Sequence, residues 1–208
     1  HGKFRRQRQM CIRDRCYTSY TYPMSDTKRG AFFVIEGNDG TGGATQTRRL
    51  VARLQEQGYQ VEQISFPQYG QPSAAMAERY LGGVYSQDWR SVNPRATSIF
   101  YAVDRFDASF AIRRWMDEGK VVVSDRYVGS NMGHQGAKLD DADARRAFYT
   151  WNDELEYDIF GIPRPDINLV LSVTPEISME LARKGKEEKT KVDDDIHEAS
   201  LEHLTRAH

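Results

Sequence analysis

The stretch AFFVIEGNDGTGGATQ, residues 31–46, decides the fold of this 208-residue chain. Residues 31–36 form a short apolar run, which is typical of a buried strand in a parallel sheet. A glycine-rich turn follows, and a pattern typical of a helix begins at Thr45. This order predicts a phosphate-binding loop, because the N–H groups of such a turn and of the first helical turn point toward an anion.

The glycine turn follows the phosphate-binding pattern G-x-x-x-x-G-K-[ST] only in part. Gly37 and Gly42 occupy the two glycine positions, but Gly43 replaces the lysine and Ala44 replaces the hydroxyl residue that binds Mg²⁺. Thr45 carries the next hydroxyl and is a candidate to replace the missing one. The motif therefore predicts binding of nucleotide phosphates and leaves open which group, if any, supplies the missing positive charge.

The composition is typical of a globular protein, with 39% hydrophobic and 28% charged residues. No apolar run approaches the roughly 18 residues of a membrane span. The net charge is −1 overall, but residues 1–23 contain six basic residues and one acidic residue and so carry +5, which leaves −6 for residues 24–208. An acidic remainder argues against a broad nucleic-acid-binding surface.

The basic first segment, residues 1–23, has three interpretations. A transit peptide or a nucleic-acid-binding arm would carry such a charge. Residues 10–15, MCIRDR, also resemble the translation of a transposase adapter used in sequencing libraries. We adopt this third interpretation and expect residues 1–23 to be a non-native tail before Met24. Cys11 and Cys16 lie in this tail, so the remainder has no thiol for a disulfide or a metal site, which fits a cytoplasmic protein.

Strand patterns and helix patterns alternate along the rest of the chain. This alternation predicts an α/β fold in which a parallel sheet has right-handed crossovers and ligands bind at the carboxyl ends of the strands. Residues 184–195 are charged and poor in apolar residues, which predicts a mobile loop. His208 falls inside a helix pattern, so we expect the last strand of the sheet to be missing. The predicted elements are strands at 31–36, 61–66, 121–123 and 167–173, and helices at 49–58, 73–81, 93–118, 141–159, from 174 and from about 196.

Five motifs, in this order, resemble the thymidylate kinase family. They are EGNDGTGGATQ, FPQYG, FYAVDRF, SDRYVGSN and PRPDINLVL, and the resemblance covers about residues 31–205. It implies a domain over residues 24–208 with a P-loop NTPase fold, a parallel five-stranded sheet with helices on both faces, and a lid at about residues 184–195. It further implies an enzyme, a nucleoside monophosphate kinase that uses ATP and Mg²⁺ to convert dTMP to dTDP, and a homodimer without a nucleic-acid or membrane partner.

The resemblance also implies the residues that handle phosphate. Asp39 would bind the 3′-hydroxyl of the monophosphate sugar, although it fits a solvated turn as well. Asp125 would hold Mg²⁺ through water, and Arg126 would grip the dTMP phosphate with bidentate hydrogen bonds, unless the two form only a structural ion pair. Arg183 or a lysine of the lid is a candidate for the missing cation, as is Arg126. The ATP-binding set is Gly37, Asn38, Gly40, Thr41, Gly42, Gly43, Ala44, Thr45, Gln46 and Arg183, and the metal candidates are Asp125 and Thr45.

A second set of residues would bind the base and sugar of dTMP. Tyr101 and Arg105 are four residues apart on one helix face; the ring would stack on thymine and the guanidinium would donate to a thymine oxygen, although helical aromatic residues are more often core. Asn131 offers both a donor and an acceptor. His134 stands where many relatives carry a tyrosine near the sugar 2′ position, or else is a solvated loop histidine. The substrate-binding set is Phe66, Tyr101, Arg105, Asn131, His134 and Gln135.

Three functions remain compatible with these residues. The first, which we favour, is a dTMP kinase with a variant phosphate loop. The second is a kinase for another nucleoside monophosphate, since recognition of one methyl group separates dTMP from dUMP by only about 10–200-fold. The third is a nucleotide-binding pseudokinase that acts through a partner, which Gly43 and Ala44 would signal if no other residue compensates for them.

Overall fold

A computed structural model describes residues 29–38, 40–174, 177, 180, 181 and 201–207. The predicted tail, the predicted lid and most of the predicted helix from residue 174 lie outside these residues. The strands are β1 Phe32–Gly37, β2 Val61–Ser65, β3 Val121–Asp125 and β4 Ile167–Leu171. The helices are α1 Gly43–Glu56, α2 Ala75–Leu81 after a 3₁₀ turn at Pro72–Ala74, α3 Pro94–Asp117, α4 Val128–Gly136, α5 Ala142–Asp153, which continues as a π-helical turn Glu154–Ile159, and α6 Leu201–Ala207.

The four described strands form one parallel sheet in the order β2-β3-β1-β4. The fold class predicted from the alternation is confirmed; the fifth strand implied by the resemblance has no counterpart among the described residues. In the register, Ile35 lies opposite Asp125, and Gly37 lies opposite Leu171. The carboxyl ends of β1, β3 and β4 therefore meet at one edge of the sheet, where ligands of such folds bind.

The core lies between the sheet and helix α3. Most residues of β1 and β3 are apolar and β-branched or aromatic, which suits the buried central strands of a parallel sheet, whereas β4 at the edge is largely exposed among the described residues. A second, smaller cluster lies between α2, α3 and the end of α4. The main cluster contains Phe32, Val34, Phe66, Ala108, Ile112, Met116, Val122, Tyr127, Val128 and Ile162, and the smaller one contains Tyr80, Leu81, Trp89 and Ala137.

Most helix boundaries follow their sequence signals. The Asn93 side chain accepts a hydrogen bond from the Arg95 N–H at 2.9 Å and so caps α3. Beyond the ends of α1 and α3, Gly58 and Gly119 have φ of 87° and 79°, a conformation that glycine adopts without strain. The main difference is the start of α1, which is Gly43 rather than residue 49, because the helix begins directly from the phosphate loop.

Helix α4, Val128–Gly136, was not predicted. Its sequence, VGSNMGHQG, has three glycines and no apolar period, so local propensity disfavours a helix. Contacts made elsewhere hold it: Glu36 binds its first N–H groups, and Arg206 donates to the Ala137 carbonyl oxygen at its other end, at 2.6 Å. Tertiary contacts therefore outweigh local preference at this element. Among the described residues, none of the helices is both long enough and apolar enough to cross a membrane.

Lys138, just after α4, is a buried cation in the smaller cluster. Its Nζ donates to the Val92 carbonyl oxygen at 2.9 Å and lies 4.8 Å from the centre of the Tyr80 ring. Burial lowers the pKa of Lys138 to about 7, only partly opposed by the charge of Asp88. Because an unfolded lysine has a pKa near 10.5, the unfolded state binds more protons than the folded state between these two values.

We predict that the wild-type protein gains stability relative to Lys138→Met as the pH rises from 7 to 9, by at most about 1.4 kcal/mol per pH unit. The free energy of unfolding in urea, measured at several pH values, checks this. Lys120→Met is the matched control: the pKa of Lys120 is raised, first by hydrogen bonds to Glu62 and Glu118, so its contribution stays constant over this range. Parallel pH profiles for the wild type and Lys138→Met would contradict the prediction.

Candidate active site

The phosphate loop connects β1 to α1. Gly40 and Gly42 have φ of 81° and 88°, which only glycine adopts readily. The Thr41 hydroxyl donates to the Asn38 carbonyl oxygen at 2.7 Å and so ties the turn together. Helix α1 begins at Gly43 without a capping side chain. Its first N–H groups therefore lie beside the loop, where they can bind an anion.

Asp125 lies against the loop residue that replaces lysine. A Cβ on Gly43 would be 3.0 Å from Asp125 Oδ1, so the carboxylate closely approaches the first turn of α1. This places an acid of β3 beside the glycine cradle, as the Mg²⁺ assignment requires, since Mg²⁺ is commonly held by one or two carboxylates, water and substrate phosphates. The predicted residues therefore fit ATP and Mg²⁺. Thr45, the other metal candidate, is exposed and accepts from Arg48 Nη2 at 3.5 Å.

Arg126, the residue after Asp125, has a strained backbone conformation. Its φ of 67° is the one positive value at a non-glycine residue in the described part of the chain. The Arg126 N–H donates to the Ile35 carbonyl oxygen at 2.8 Å, and its carbonyl oxygen accepts from the Ser124 hydroxyl at 2.6 Å. These bonds hold the unusual conformation, which costs about 1–3 kcal/mol and is concentrated at functional sites.

Glu36, the residue before the loop, fixes helix α4 to the sheet. It is 6% exposed and accepts from the Gly129 and Ser130 N–H groups at 2.9 Å each, and also from the Ser130 hydroxyl. A Cβ on Gly129 would collide with Glu36 Oε1, which explains the glycine at this position. A cleft of about 240 Å³ lies at this edge, lined by Glu36, Gly37, Asn38, Gly129, Ser130, Gly133, Asn168, Val170, Leu171 and Ser172.

Helix α4 presents two buried amides with polar atoms that lack hydrogen-bond partners among the described residues. They are Asn131 Oδ1 and both amide atoms of Gln135. Asn131 is 4% exposed and Gln135 is fully buried, and the two lie one turn apart on the same face. A buried polar atom without a partner costs about 1–3 kcal/mol. One face of α4 therefore carries donor and acceptor groups that the described residues leave unused.

Arg105 is buried beside this helix and is held by Glu156 of the π-helical turn. Its Nε and Nη2 donate to the two carboxylate oxygens at 2.5 and 2.7 Å, and Nη1 donates to the Tyr127 carbonyl oxygen at 3.4 Å. Burial acts to lower the pKa of Arg105, but the charge and hydrogen bonds of Glu156 outweigh it and raise this pKa. Three of the five N–H donors are thus used, and two remain for a ligand.

His134 contacts Arg126 and a histidine of α6. It is 6% exposed, so the solvated-loop interpretation is wrong. Arg126 Nη1 lies 3.5 Å from His134 Nε2, and His134 Nδ1 lies 2.9 Å from His203 Nε2. The His134 ring therefore lies between the Arg126 guanidinium and the His203 ring and helps to orient Arg126.

The remaining predicted residues lie in different surroundings. Phe66 belongs to the main core cluster, with its ring 5.6 Å from that of Tyr127, and a role in a pocket wall stays a prediction. Tyr101 is half-buried and packs edge-on against Tyr80, with ring centres 6.4 Å apart. Ala44 and Gln46 are exposed on the first turn of α1. Asp39 and Arg183 lie outside the described residues, so their assigned roles stay predictions.

Several residues of the site were missed at the sequence level. Asp104 is 1% exposed and accepts from the Gln68 N–H and the Ser73 hydroxyl, which fixes the FPQYG loop to α3. Asp104 could have been found, because it lies within the motif FYAVDRF. Glu36 could have been found in the same way, because it lies within the motif EGNDGTGGATQ. Glu156 and Asn152 had none, because Arg105 and Asn131, which they bind, are 51 and 21 residues away in the sequence.

This chain matches known proteins over most of its length. Residues 35–207 match the family model described as thymidylate kinase. Thymidylate kinase of Mycobacterium tuberculosis H37Rv is 35% identical over 150 residues, 72% of this chain and 69% of that protein. Human thymidylate kinase is 27% identical over 146 residues, 70% of this chain and 62% of the human protein. A solved thymidylate kinase of Candida albicans has a TM-score of 0.63 at 23% identity, covers 86% of this chain and 75% of its own, and supports the fold.

This chain has the P-loop NTPase fold. The glycine loop leads directly into a helix, and an acid from the neighbouring parallel strand lies against that loop, as this class of protein requires. The family follows from the comparisons. The chain belongs to the thymidylate kinase family, whose members are nucleoside monophosphate kinases.

We predict that Glu36→Gln lowers the free energy of unfolding by about 1–3 kcal/mol. The amide of glutamine must turn its NH₂ group toward one of the α4 donors, so that donor loses its acceptor. Urea unfolding followed by circular dichroism measures the change. Glu62→Gln, at a partly exposed ion pair with Lys120, is the control and should change stability by less than about 1 kcal/mol. Equal effects of the two changes would show that Glu36 does not anchor α4.

Proposed function

We propose that this protein phosphorylates dTMP to dTDP with ATP as the phosphate donor. One observation carries the dTMP side of the proposal: α4 holds the unsatisfied Asn131 Oδ1 and the unsatisfied Gln135 amide, and Arg105 is buried on the neighbouring helix α3. A keto pyrimidine offers an N–H and carbonyl oxygens, which match an amide oxygen, an amide N–H and a guanidinium. Family membership and the phosphate loop support the ATP side.

The residues of the chain act by holding two phosphates in line. The N–H groups of the loop and of the α1 N-terminus bind the polyphosphate of ATP, and Arg126 binds the dTMP phosphate from the other side. Asp125 would hold Mg²⁺ through water, and the bound ion would supply positive charge at the transferred group. The attacking oxygen of dTMP is already ionised, so the site needs no strong general base. Positioning and charge neutralisation therefore account for the chemistry.

The phosphate loop lacks the lysine of the usual pattern, so the proposed reaction needs a positive charge from another residue. A well-placed cation at the transferred phosphoryl group is worth about 10³–10⁵ in rate in related systems. We propose that Arg126, Arg183 or a lysine of the lid supplies part of this charge. Arg48 is a further candidate, because its guanidinium reaches back to the Ala44 carbonyl oxygen at 3.3 Å, beside the first turn of α1.

We also propose that the protein is a cytoplasmic homodimer. Helix α3 exposes a stripe of apolar side chains, Ile99, Val103, Phe106 and Phe110, which are 41, 43, 40 and 61% exposed. Their spacing places them on one face of the helix. A contiguous apolar face of this kind is typical of a surface covered by another protein. A second copy of the same chain, with its α3 packed antiparallel or crossed, would cover both stripes at once.

We predict that Gln135→Leu raises the free energy of unfolding of the ligand-free protein by about 1–3 kcal/mol and weakens dTMP binding at least about tenfold. Leucine removes the unsatisfied buried amide, and with it a group that binds the ligand. Urea unfolding and calorimetric titration measure the two effects. Gln55→Leu is the control for titration, because that amide is exposed near the end of α1. If Gln135→Leu lowered stability and left dTMP affinity unchanged, the amide would not belong to the substrate site.

We predict that Gly43→Lys raises the turnover rate above that of Gly43→Ala by at least about 10²-fold. Both variants place a Cβ against Asp125, so the comparison isolates the ammonium group from the steric effect. A steady-state assay of ADP formation with saturating dTMP measures the rates. Equal rates for the two variants would mean that another residue of the chain already supplies the cation.

A further inference from the structure

Four buried polar side chains form one continuous hydrogen-bonded chain between α3 and α4. Arg105 donates to both oxygens of Glu156, the Asn152 Nδ2 group donates to Glu156 Oε1 at 3.0 Å, and Asn131 Nδ2 donates to Asn152 Oδ1 at 3.0 Å. None of the four is more than 4% exposed. These hydrogen bonds connect Arg105 and Asn131, the two residues assigned to the base. The connection runs through Glu156 and Asn152, to which no role has been assigned.

The direction of every bond in this chain is fixed by its charged end. Both oxygens of Glu156 accept from Arg105, so the carboxylate can only accept from its next neighbour. Asn152 must therefore turn its NH₂ group toward Glu156, which leaves its oxygen facing Asn131. That oxygen needs a donor, so Asn131 must turn its own NH₂ group toward Asn152. The polarity follows from the ion pair and not from the local preference of either amide.

These bond directions also fix which atom of the Asn131 amide remains unused. Its Oδ1 is left as a buried acceptor without a hydrogen-bond partner among the described residues. Arg105 has two N–H donors that none of the three bonds to Glu156 and Tyr127 uses. The hydrogen bonds thus hold two groups in fixed positions: an acceptor on α4, Asn131 Oδ1, and a donor on α3, the Arg105 guanidinium.

We infer that Asn152 and Glu156 are positioning residues that select a keto pyrimidine by setting the amide of Asn131. The inference rests on the proposed function. Thymine and uracil carry an N3–H donor beside the O4 acceptor, which pair with Asn131 Oδ1 and Arg105. Cytosine carries an acceptor at N3 and an amino group at C4, so it would place acceptor against acceptor and donor against donor. A site that is built for one pattern of hydrogen bonds rejects the other strongly, because its buried groups would remain unsatisfied.

The first test uses the wild-type protein and measures binding, not turnover. Calorimetric titration compares dTMP, dCMP and 3-methyl-dTMP, which lacks the N3–H. We expect dCMP and 3-methyl-dTMP each to bind at least about tenfold more weakly than dTMP. Equal affinity for dTMP and 3-methyl-dTMP would overturn the assigned direction of the Asn131 amide. Binding of dTMP without turnover would contradict the proposed reaction and still test this inference; absence of dTMP binding would overturn both.

The second test changes Asn152. Asn152→Leu removes the connection, so the Asn131 amide is free to turn, and the ratio of dTMP to dCMP affinity should fall at least about tenfold. Asn152→Asp is the matched variant: it shares a proton with Glu156 and still accepts from Asn131, so it should keep the wild-type ratio. If Asn152→Leu weakened both nucleotides equally, or if Asn152→Asp lost selectivity to the same extent, Asn152 would be a structural residue without a part in selectivity.

Discussion

The buried ion pair between Arg105 and Glu156 is the interaction on which the organisation of the proposed dTMP site depends. Removing two charges from water is costly, and the pair is tolerated because both carboxylate oxygens and three guanidinium N–H groups find partners. Loss of one member of such a pair typically costs about 3–5 kcal/mol. The pair joins α3 to the π-helical turn after α5. π-Helical turns are rare and are frequently found at functional sites, and here the turn brings Glu156 into reach of Arg105.

The phosphate side depends on a different constraint, the close approach of backbone and carboxylate at the loop. Glycine at position 43 gives Asp125 access to the first turn of α1, at a position where related loops carry lysine. The absence of that lysine removes one positive charge from the loop, and the start of α1 at Gly43 is retained. Under the proposed function, nucleotide binding depends on backbone N–H groups and turnover depends on a cation, so a change at the cation should affect turnover more than binding.

The fold was predictable because its signals are local. Apolar runs bounded by glycine or proline identified all four described strands, and Asn93 and Gly119 marked the ends of α3. Helix α4 was not predictable, since three glycines weaken its propensity and its stability comes from Glu36, far away in sequence. The same limit applies to the site. The motifs identified Arg105, Asn131 and Gln135, but Glu156 lies 51 residues from Arg105, and only the folded chain brings them together.

The measurement that tests this account most directly is the formation of dTDP from dTMP and ATP–Mg²⁺ by the wild-type protein, followed by chromatographic separation of the nucleotides. We expect dTDP and ADP to form in equal amounts, at a rate proportional to protein concentration, and dCMP to be a much poorer acceptor. Firm binding of both ATP and dTMP without any dTDP formation would contradict it. That result would show that a phosphate loop without its lysine holds the two substrates in this protein but does not transfer phosphate between them.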